Sequence, residues 1–105
     1  MSEVKPIKPL EIFDETFINL QQGINRATKV QTVIAQNIAN ANNPDYEPMD
    51  FDAALNKAVK RADKKIVIED EMAALSKNSI EHSAFVKLLA SKISVIRTVA
   101  TQGRR

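Results

Sequence analysis

The chain has 105 residues, of which 44% are hydrophobic, with only two glycines and a formal net charge of +2. This size predicts one domain, and the excess of aliphatic over aromatic and glycine residues favours helices over a turn-rich β fold. The chain has no cysteine and a single histidine, which excludes disulfides, thiolate sites and multi-histidine metal sites.

Residues 1–9 contain two prolines and alternating charges, which predicts a flexible or extended lead. The N-terminal region has neither the apolar core nor the small-residue cleavage site of a secretory signal, so export with a cleaved signal is not expected. No apolar run is long enough to span a bilayer.

The first helix is predicted over about residues 10–42. Its stripe residues recur alternately four and three positions apart, as the a and d residues of a heptad do. The stripe consists of Phe13, Phe17, Leu20, Ile24, Ala27, Gln31, Ile34, Ile38 and Ala41. Gly23 costs such a helix about 1 kcal/mol relative to alanine, which indicates a bend or the close approach of another helix.

The first helix is predicted to end at about residues 41–43, where asparagines compete for backbone hydrogen bonds ahead of Pro44. The asparagines of this region have two interpretations: they stop the helix, or they fix the register of a packed helix as a buried polar residue does in a coiled coil. They are Asn37, Asn40, Asn42 and Asn43.

Residues 43–69 are predicted to connect two helices. Turns are expected at its prolines, with Tyr46 and Phe51 as anchors that hold the loop against a helix. A short helix is predicted from Asp52, and the β-branched residues of 64–68 predict an extended segment.

The second helix is predicted over about residues 70–101, with Asp70 as its N-cap and residues 102–105 as a tail. Its stripe is again heptad-spaced and consists of Met72, Leu75, Ser79, His82, Val86, Leu89, Ile93, Ile96 and Ala100. Two matched stripes predict a mainly α fold, a helical hairpin or coiled-coil-like pair within a single unit of residues 1–105. The predicted packing interface consists of Phe17, Leu20, Ile24, Ile34, Ile38, Met72, Leu75, Val86, Leu89, Ile93 and Ile96.

Both helices also carry apolar residues away from this seam. They are Val30 and Val33 on the first helix, and Ile80, Phe85, Leu88, Val95 and Val99 on the second. Two helices packed on one seam leave these residues uncovered, and the connecting segment is too polar to cover them. Because a contiguous exposed apolar surface usually marks an interaction site, the chain is predicted to be one component of a helical assembly.

The sequence contains no pattern that predicts catalysis, and neither a cofactor nor a small-molecule substrate is expected. His82 has no Ser or Cys nucleophile with an orienting acid near it, and glycines at 23 and 103 cannot form a phosphate loop. The consecutive carboxylates of residues 69–71 point in different directions, which favours a helix cap over a metal site.

Two segments carry a specific combination of motifs. Residues 35–55, AQNIANANNPDYEPMDFDAAL, place a helix ending in N-I-A-N before a proline-tyrosine turn, and residues 71–99 form the second helix. Together they resemble the flagellar basal-body rod proteins, most closely the proximal rod members of that family. The matching motif residues are Asn37, Ile38, Ala39, Asn40, Pro44, Asp45 and Tyr46. The chain departs from the family pattern where Asp45 replaces a turn glycine, Asn43 a threonine and His82 a tyrosine.

This resemblance implies a structural subunit that the flagellar type III apparatus exports without a cleaved signal. The subunit would be built into the rod that crosses the periplasm and transmits motor torque. Its partners would be other rod and basal-body proteins, copies of itself and the export apparatus, with no nucleic acid. Phe13 and Phe17 are the expected export-recognition residues.

Two other functions fit the same residues. A cytoplasmic coiled-coil adaptor or export chaperone would bind a partner helix through the same apolar faces. A basic helical nucleic-acid binder would use the run KRADKK at residues 60–65 and the terminal arginines.

Overall fold

A computed structural model of the chain describes residues 14–102. The elements are helix α1 (Glu15–Ala39), strands β1 (Met49–Asp52) and β2 (Lys57–Lys60), and helix α2 (Ile68–Gln102). The two helices pack against each other along a molecule of 68 × 23 × 18 Å. The predicted mainly α fold with two long paired helices is therefore confirmed.

Helix α1 begins one residue after Asp14, which is its N-cap. The Asp14 carboxylate accepts a hydrogen bond from the backbone N–H of Phe17 at 2.9 Å, and so satisfies one of the donors that a helix leaves open at its first turn. The predicted helix start at residue 10, the lead over residues 1–9 and Phe13 all lie outside the described residues.

Helix α1 ends at Ala39, three residues before the predicted end, because Asn40 caps it. The Asn40 backbone N–H and its side-chain amide both donate to the carbonyl of Gln36, at 3.1 and 2.9 Å. The backbone N–H of Asn43 then donates to the carbonyl of Asn40, which turns the chain away from the helix axis. These contacts agree with the interpretation of the asparagines as a helix stop.

The turn that follows runs from Asn43 to Tyr46. The Tyr46 N–H donates to the carbonyl of Asn43 at 3.2 Å, and the Asp45 N–H donates to the Asn43 side chain at 3.1 Å. Asn56 is the one residue other than glycine with a positive φ among those described, so Asp45 has a negative φ and the turn is not of type II. An aspartate therefore fits where the rod family has glycine.

The prediction of a helix from Asp52 was wrong, because residues 49–60 form an antiparallel hairpin. Met49 lies opposite Lys60 and Asp52 lies opposite Lys57. The Asp52 carboxylate accepts the backbone N–H groups of residues 54 and 55, at 2.9 and 3.1 Å, and Asn56 closes the loop with a φ of 53°. This side-chain turn chemistry overrides the local helix propensity.

The predicted extended segment at 64–68 contains no strand. Residues 61–67 are irregular, and α2 begins at Ile68, so that Asp70 lies in its first turn and is not its N-cap.

The seam contains the predicted Leu75 and His82, but the predicted Met72, Ser79 and Val86 are replaced by the residue that precedes each of them. The side chains of α2 that are buried or half-buried are Glu71, Leu75, Asn78, His82, Phe85, Leu89, Lys92, Ile93 and Ile96. Met72 and Val86, which were predicted in the packing interface, are 52% and 43% exposed. Gln31 of α1 is exposed as well, whereas the neighbouring Val30 is half-buried.

The second apolar patch of α1 is not exposed as predicted. Val33 is 6% exposed, and it lines a cleft with Val30 and the β1 residues Met49 and Phe51. The hairpin therefore covers this side of α1, although the connecting segment is polar overall.

The Phe85 ring of α2 packs directly against Gly23 of α1. A Cβ built on Gly23 would lie 2.8 Å from Cε1 of the Phe85 ring, which is shorter than real Cβ contacts. Of the two possibilities raised by this glycine, the structure has the close helix approach. Phe85, predicted off the seam, packs in it for this reason.

Replacing Gly23 by alanine tests this contact. The Gly23→Ala change should raise the unfolding free energy by about 1 kcal/mol through helix propensity, but the Phe85 ring opposes it. In a Phe85→Leu background, which removes the ring atoms nearest to the new methyl group, Gly23→Ala should be more favourable by about 1 kcal/mol than in the wild type. Urea denaturation of the four proteins measures this coupling, and equal effects of Gly23→Ala in both backgrounds would contradict the packing.

An ion pair joins the start of α1 to α2. The Lys92 ammonium lies 3.0 Å from the second carboxylate oxygen of Asp14. The N–H of Phe17 and then Lys92, as hydrogen-bond donors, lower the pKa of Asp14 below its ordinary value of 3.8. Asp14 therefore stabilises the fold above the pKa of the unfolded chain, and this stabilisation is lost as the pH falls through the lowered pKa of the folded state.

Asp14→Asn keeps an oxygen for the helix cap but removes the charge. The wild type should unfold at a higher denaturant concentration than Asp14→Asn at neutral pH, and this difference should shrink as the pH is lowered below 3.8. Lys92→Met should have a similar effect, and the double variant should add little to either single one. A difference between wild type and Asp14→Asn that is constant from neutral to strongly acidic pH would exclude the charge as its source.

Candidate assembly interface

The most completely buried side chain among the described residues belongs to Asn37, at 1% exposure. Its amide nitrogen donates to the Met49 carbonyl at 2.8 Å, and its amide oxygen accepts the Met49 N–H at 3.0 Å. The same oxygen accepts the Tyr46 hydroxyl at 2.9 Å. Asn37 thus pairs with Met49 much as a neighbouring strand would, and it fastens the turn and the start of β1 to α1.

The motif residues of the sequence resemblance are close together in this region. Asn37 and Tyr46 are directly bonded, and Asn40 caps α1. Pro44 and Asp45 are exposed in the turn between them, while Ile38 is half-buried and Ala39 is exposed. The sequence motif therefore corresponds to one structural unit, the end of α1 and the turn bonded to it.

A second polar contact fastens the connecting segment to α2. Arg61 follows β2, and its Nη1 donates to the Glu71 carboxylate at 2.6 Å. Nε and Nη2 of Arg61 donate to the carbonyls of Asp63 and Lys65, at 2.8 and 2.9 Å. The hydrogen bond to Glu71 raises the pKa of the Arg61 guanidinium, which is charged throughout the physiological range. The pair fixes the first turn of α2 against the hairpin.

A third polar contact links the two helices directly. Asn78 is 5% exposed, and its amide nitrogen donates to the carbonyl of Ala27 at 2.9 Å. This bond crosses the centre of the seam, where the predicted stripe had Ser79. Because the partner is a backbone carbonyl at one position of α1, the contact sets the register of the helices.

The basic run at residues 60–65 is partly occupied by contacts within the chain. Lys60 forms an exposed ion pair with Glu47 at 3.0 Å, and Arg61 is half-buried against Glu71. Of these two side chains, only Arg61 is committed to contacts within the chain.

The outward side of α2 exposes large apolar side chains. Ile80 is 69% exposed, Leu88 56% and Val95 60%, and Val99 is exposed as well. These four residues were predicted off the seam. Leu88, Val95 and Val99 lie at helical spacing on one side of the C-terminal half of α2, so they form a line, which we call the α2 apolar line.

The predicted packing residues separate into two groups. Those that are buried or half-buried within the chain are Phe17, Leu20, Ile24, Ile34, Ile38, Leu75, Leu89, Ile93 and Ile96. Met72 and Val86 are exposed, so they do not belong to the seam within the chain. Phe17, also predicted for export recognition, is buried at 9% exposure.

Sequence reasoning missed Arg61, Glu71 and Asn78 as packing residues. An apolar pattern cannot reveal them, since all three are polar and their partners are distant or backbone groups. The only local signal was their position: Glu71 and Asn78 lie one residue from the predicted stripe, and Arg61 lies near the edge of a basic run.

Within the described part of the chain, neither helix combines the length and hydropathy needed to cross a bilayer. The same residues contain no group of three His, Cys, Asp or Glu side chains arranged to hold a metal ion. Comparison with protein family models, curated proteins and solved structures found no match to this chain.

Replacing Asn37 should destabilise the fold strongly. Asn37→Ala would leave the Met49 N–H and carbonyl without partners, which should lower the unfolding free energy by about 2–4 kcal/mol. Asn40→Ala, the matched control on the next turn of α1, removes a more exposed hydrogen bond and should cost about 1 kcal/mol or less. Chemical denaturation followed by circular dichroism compares them, and equal costs would mean that Asn37 is not the main fastening of the turn.

Proposed function

We propose that this protein is a structural subunit of the bacterial flagellar basal-body rod, of the proximal type, and that it has no catalytic role. The α2 apolar line carries the proposal, because a chain with this much exposed apolar helix surface is typical of an assembly component. The resemblance of residues 35–55 and 71–99 to rod proteins gives the assembly its identity.

The arrangement of the motif residues supports this assignment. Asn37 and Tyr46 belong to the N-I-A-N and proline-tyrosine motifs, and they are bonded to each other in a buried network. A motif that fixes how the chain leaves α1 would present the two helices of every subunit in the same way, as a regular assembly requires.

The small core is also consistent with this role. Four hydrophobic residues are buried in the described part of the chain: Phe17, Ala27, Val33 and Ile34. A two-helix unit with so small a core gains much of its stability from neighbours, and it opposes unfolding weakly before assembly. Such a subunit suits export in an unfolded or partly folded form, followed by folding at the growing rod.

Charged substitutions in the α2 apolar line test the proposal. Leu88→Asp and Val95→Asp should each prevent incorporation into purified hook-basal bodies and abolish swimming, because burying a carboxylate between subunits carries a high desolvation cost. Both side chains are exposed in the subunit, so the far-ultraviolet circular dichroism of the purified proteins should be unchanged. Gln31→Asp, at an exposed position of α1, serves as the control and should swim normally.

Deletion of the gene distinguishes a rod subunit from a cytoplasmic adaptor or export chaperone. A rod subunit should be present in purified hook-basal bodies, and its loss should remove the rod and hook. A protein that is absent from these structures yet required in the cytosol for the export of other components would instead be the adaptor or chaperone. Normal motility of the Leu88→Asp and Val95→Asp strains would count against the interface itself.

A further inference from the structure

A polar groove lies on the side of α1 that faces away from α2. It has a volume of about 400 Å³ and is formed where the loop of the hairpin approaches the middle of α1. Its lining consists of Gln22, Asn25, Arg26, Lys29, Ala53 and Asn56. Two cations and three side-chain amides thus converge on one opening, with no carboxylate among the lining residues.

The two cations of this groove have no ion-pair partner within residues 14–102. The four ion pairs of the described chain involve Lys60, Arg61 and Lys92, and neither Arg26 nor Lys29 takes part. Helix α1 has no acidic residue after Glu15. Arginine and amide side chains are good donors to carboxylates, so the groove favours an anionic group.

The charges of residues 14–102 are separated along the length of the molecule. The helical shaft, residues 14–44 and 72–102, has six basic and three acidic residues, a net charge of +3. The loop end, residues 45–71, has eight acidic and five basic residues, a net charge of −3. The loop end of one molecule is therefore attracted to the shaft of another.

The first turn of α2 is the part of the loop end that best fits the groove. Glu69 and Asp70 are adjacent and exposed, and neither forms an ion pair within residues 14–102. Glu71, the third carboxylate of this turn, is held by Arg61, which fixes the turn to the hairpin. A rigid turn with two free carboxylates matches a groove with two free cations.

We propose that the groove of one copy of this protein binds the acidic first turn of α2 of a second copy, with Arg26 and Lys29 paired with Glu69 and Asp70. The two surfaces are different patches of the chain, so each copy has one of each and the contact is heterologous. Repetition of such a contact produces a ring or an open row of subunits in place of a symmetric dimer. This inference deepens the proposed function and rests only on its statement that copies associate.

A charge exchange tests the contact in the purified full-length protein. The groove variant is Arg26→Glu with Lys29→Glu, and the turn variant is Glu69→Lys with Asp70→Lys. Each variant alone brings like charges together and should lose self-association, with the concentration for half-association raised at least about tenfold. An equimolar mixture should restore association, because every contact between the two variants joins opposite charges.

Sedimentation velocity at about 20 mM salt measures the association, which should weaken as salt is added. Lys77→Glu with Lys87→Glu is the matched control, since it changes the charge of the shaft as much as the groove variant but alters exposed residues of α2 outside the groove and the acidic turn. It should associate like the wild type. The four altered positions of the two test variants are exposed, and circular dichroism verifies that each protein remains helical.

A cross-linking experiment gives a second measurement that does not depend on charge reversal. The chain has no cysteine of its own, so Asn25→Cys in one preparation and Ala73→Cys in another introduce single thiols beside the groove and one turn beyond Asp70. On mild oxidation, the mixture should form the mixed disulfide dimer faster than either protein forms its own dimer.

Three results would overturn the contact: a wild type that stays monomeric at low salt, a mixture that does not recover association, or a control that loses association like the groove variant. These outcomes are separate from the flagellar assignment. If the mixture associates again but deletion of the gene leaves the rod intact, the contact is supported and the rod assignment is refuted. If the protein is found in hook-basal bodies but the mixture does not associate, the rod assignment is supported and the contact is refuted.

Discussion

The side chain of Asn37 sets the position of the turn and the hairpin that follow α1. An amide has a donor and an acceptor at the spacing of a peptide group, so it can bond both polar groups of one backbone residue. Asn37 does this with Met49, and also accepts the Tyr46 hydroxyl. Because Met49 is the first residue of β1, this one side chain determines where the hairpin begins and that it returns along α1. The covering of Val33 and the placement of Arg61 depend on that return.

The pairing of the helices also depends on polar groups and on shape more than on apolar area. Glu71 and Asn78 occupy places in the seam that an ordinary coiled coil fills with apolar residues, and Gly23 leaves room for the Phe85 ring. Each of these contacts requires one particular partner, so together they select one register. They add only modest net stability, because the cost of desolvating buried polar groups offsets much of the free energy that their interaction contributes. The result is a well-defined subunit with a small core.

The sequence was sufficient to predict the two helices, because the spacing of apolar residues along a helix is a local property. It was insufficient for the hairpin, where Ala, Leu and Lys favour a helix but the Asp52 side chain and the positive φ of Asn56 form a turn. It also selected the wrong residue at three places of the α2 stripe, since counting apolar positions selects Met72 and passes over Glu71. The sequence showed the asparagines as a helix stop but did not reveal which groups Asn37 binds, because Met49 lies 12 residues further along the chain.

Two kinds of surface remain on the folded subunit, and they have different consequences for assembly. Burying the α2 apolar line would contribute free energy roughly in proportion to its area, but an apolar helix face accepts neighbours at several offsets. Charge complementarity between the shaft and the loop end contributes less free energy and more selectivity, because a shift along the axis brings like charges together. A thin subunit 68 Å long with net charges of +3 and −3 in its two parts thus has a built-in direction. Apolar burial alone would permit copies to pair in either orientation, whereas a contact between two different patches, the groove and the acidic turn, would repeat with the same relative orientation from one copy to the next.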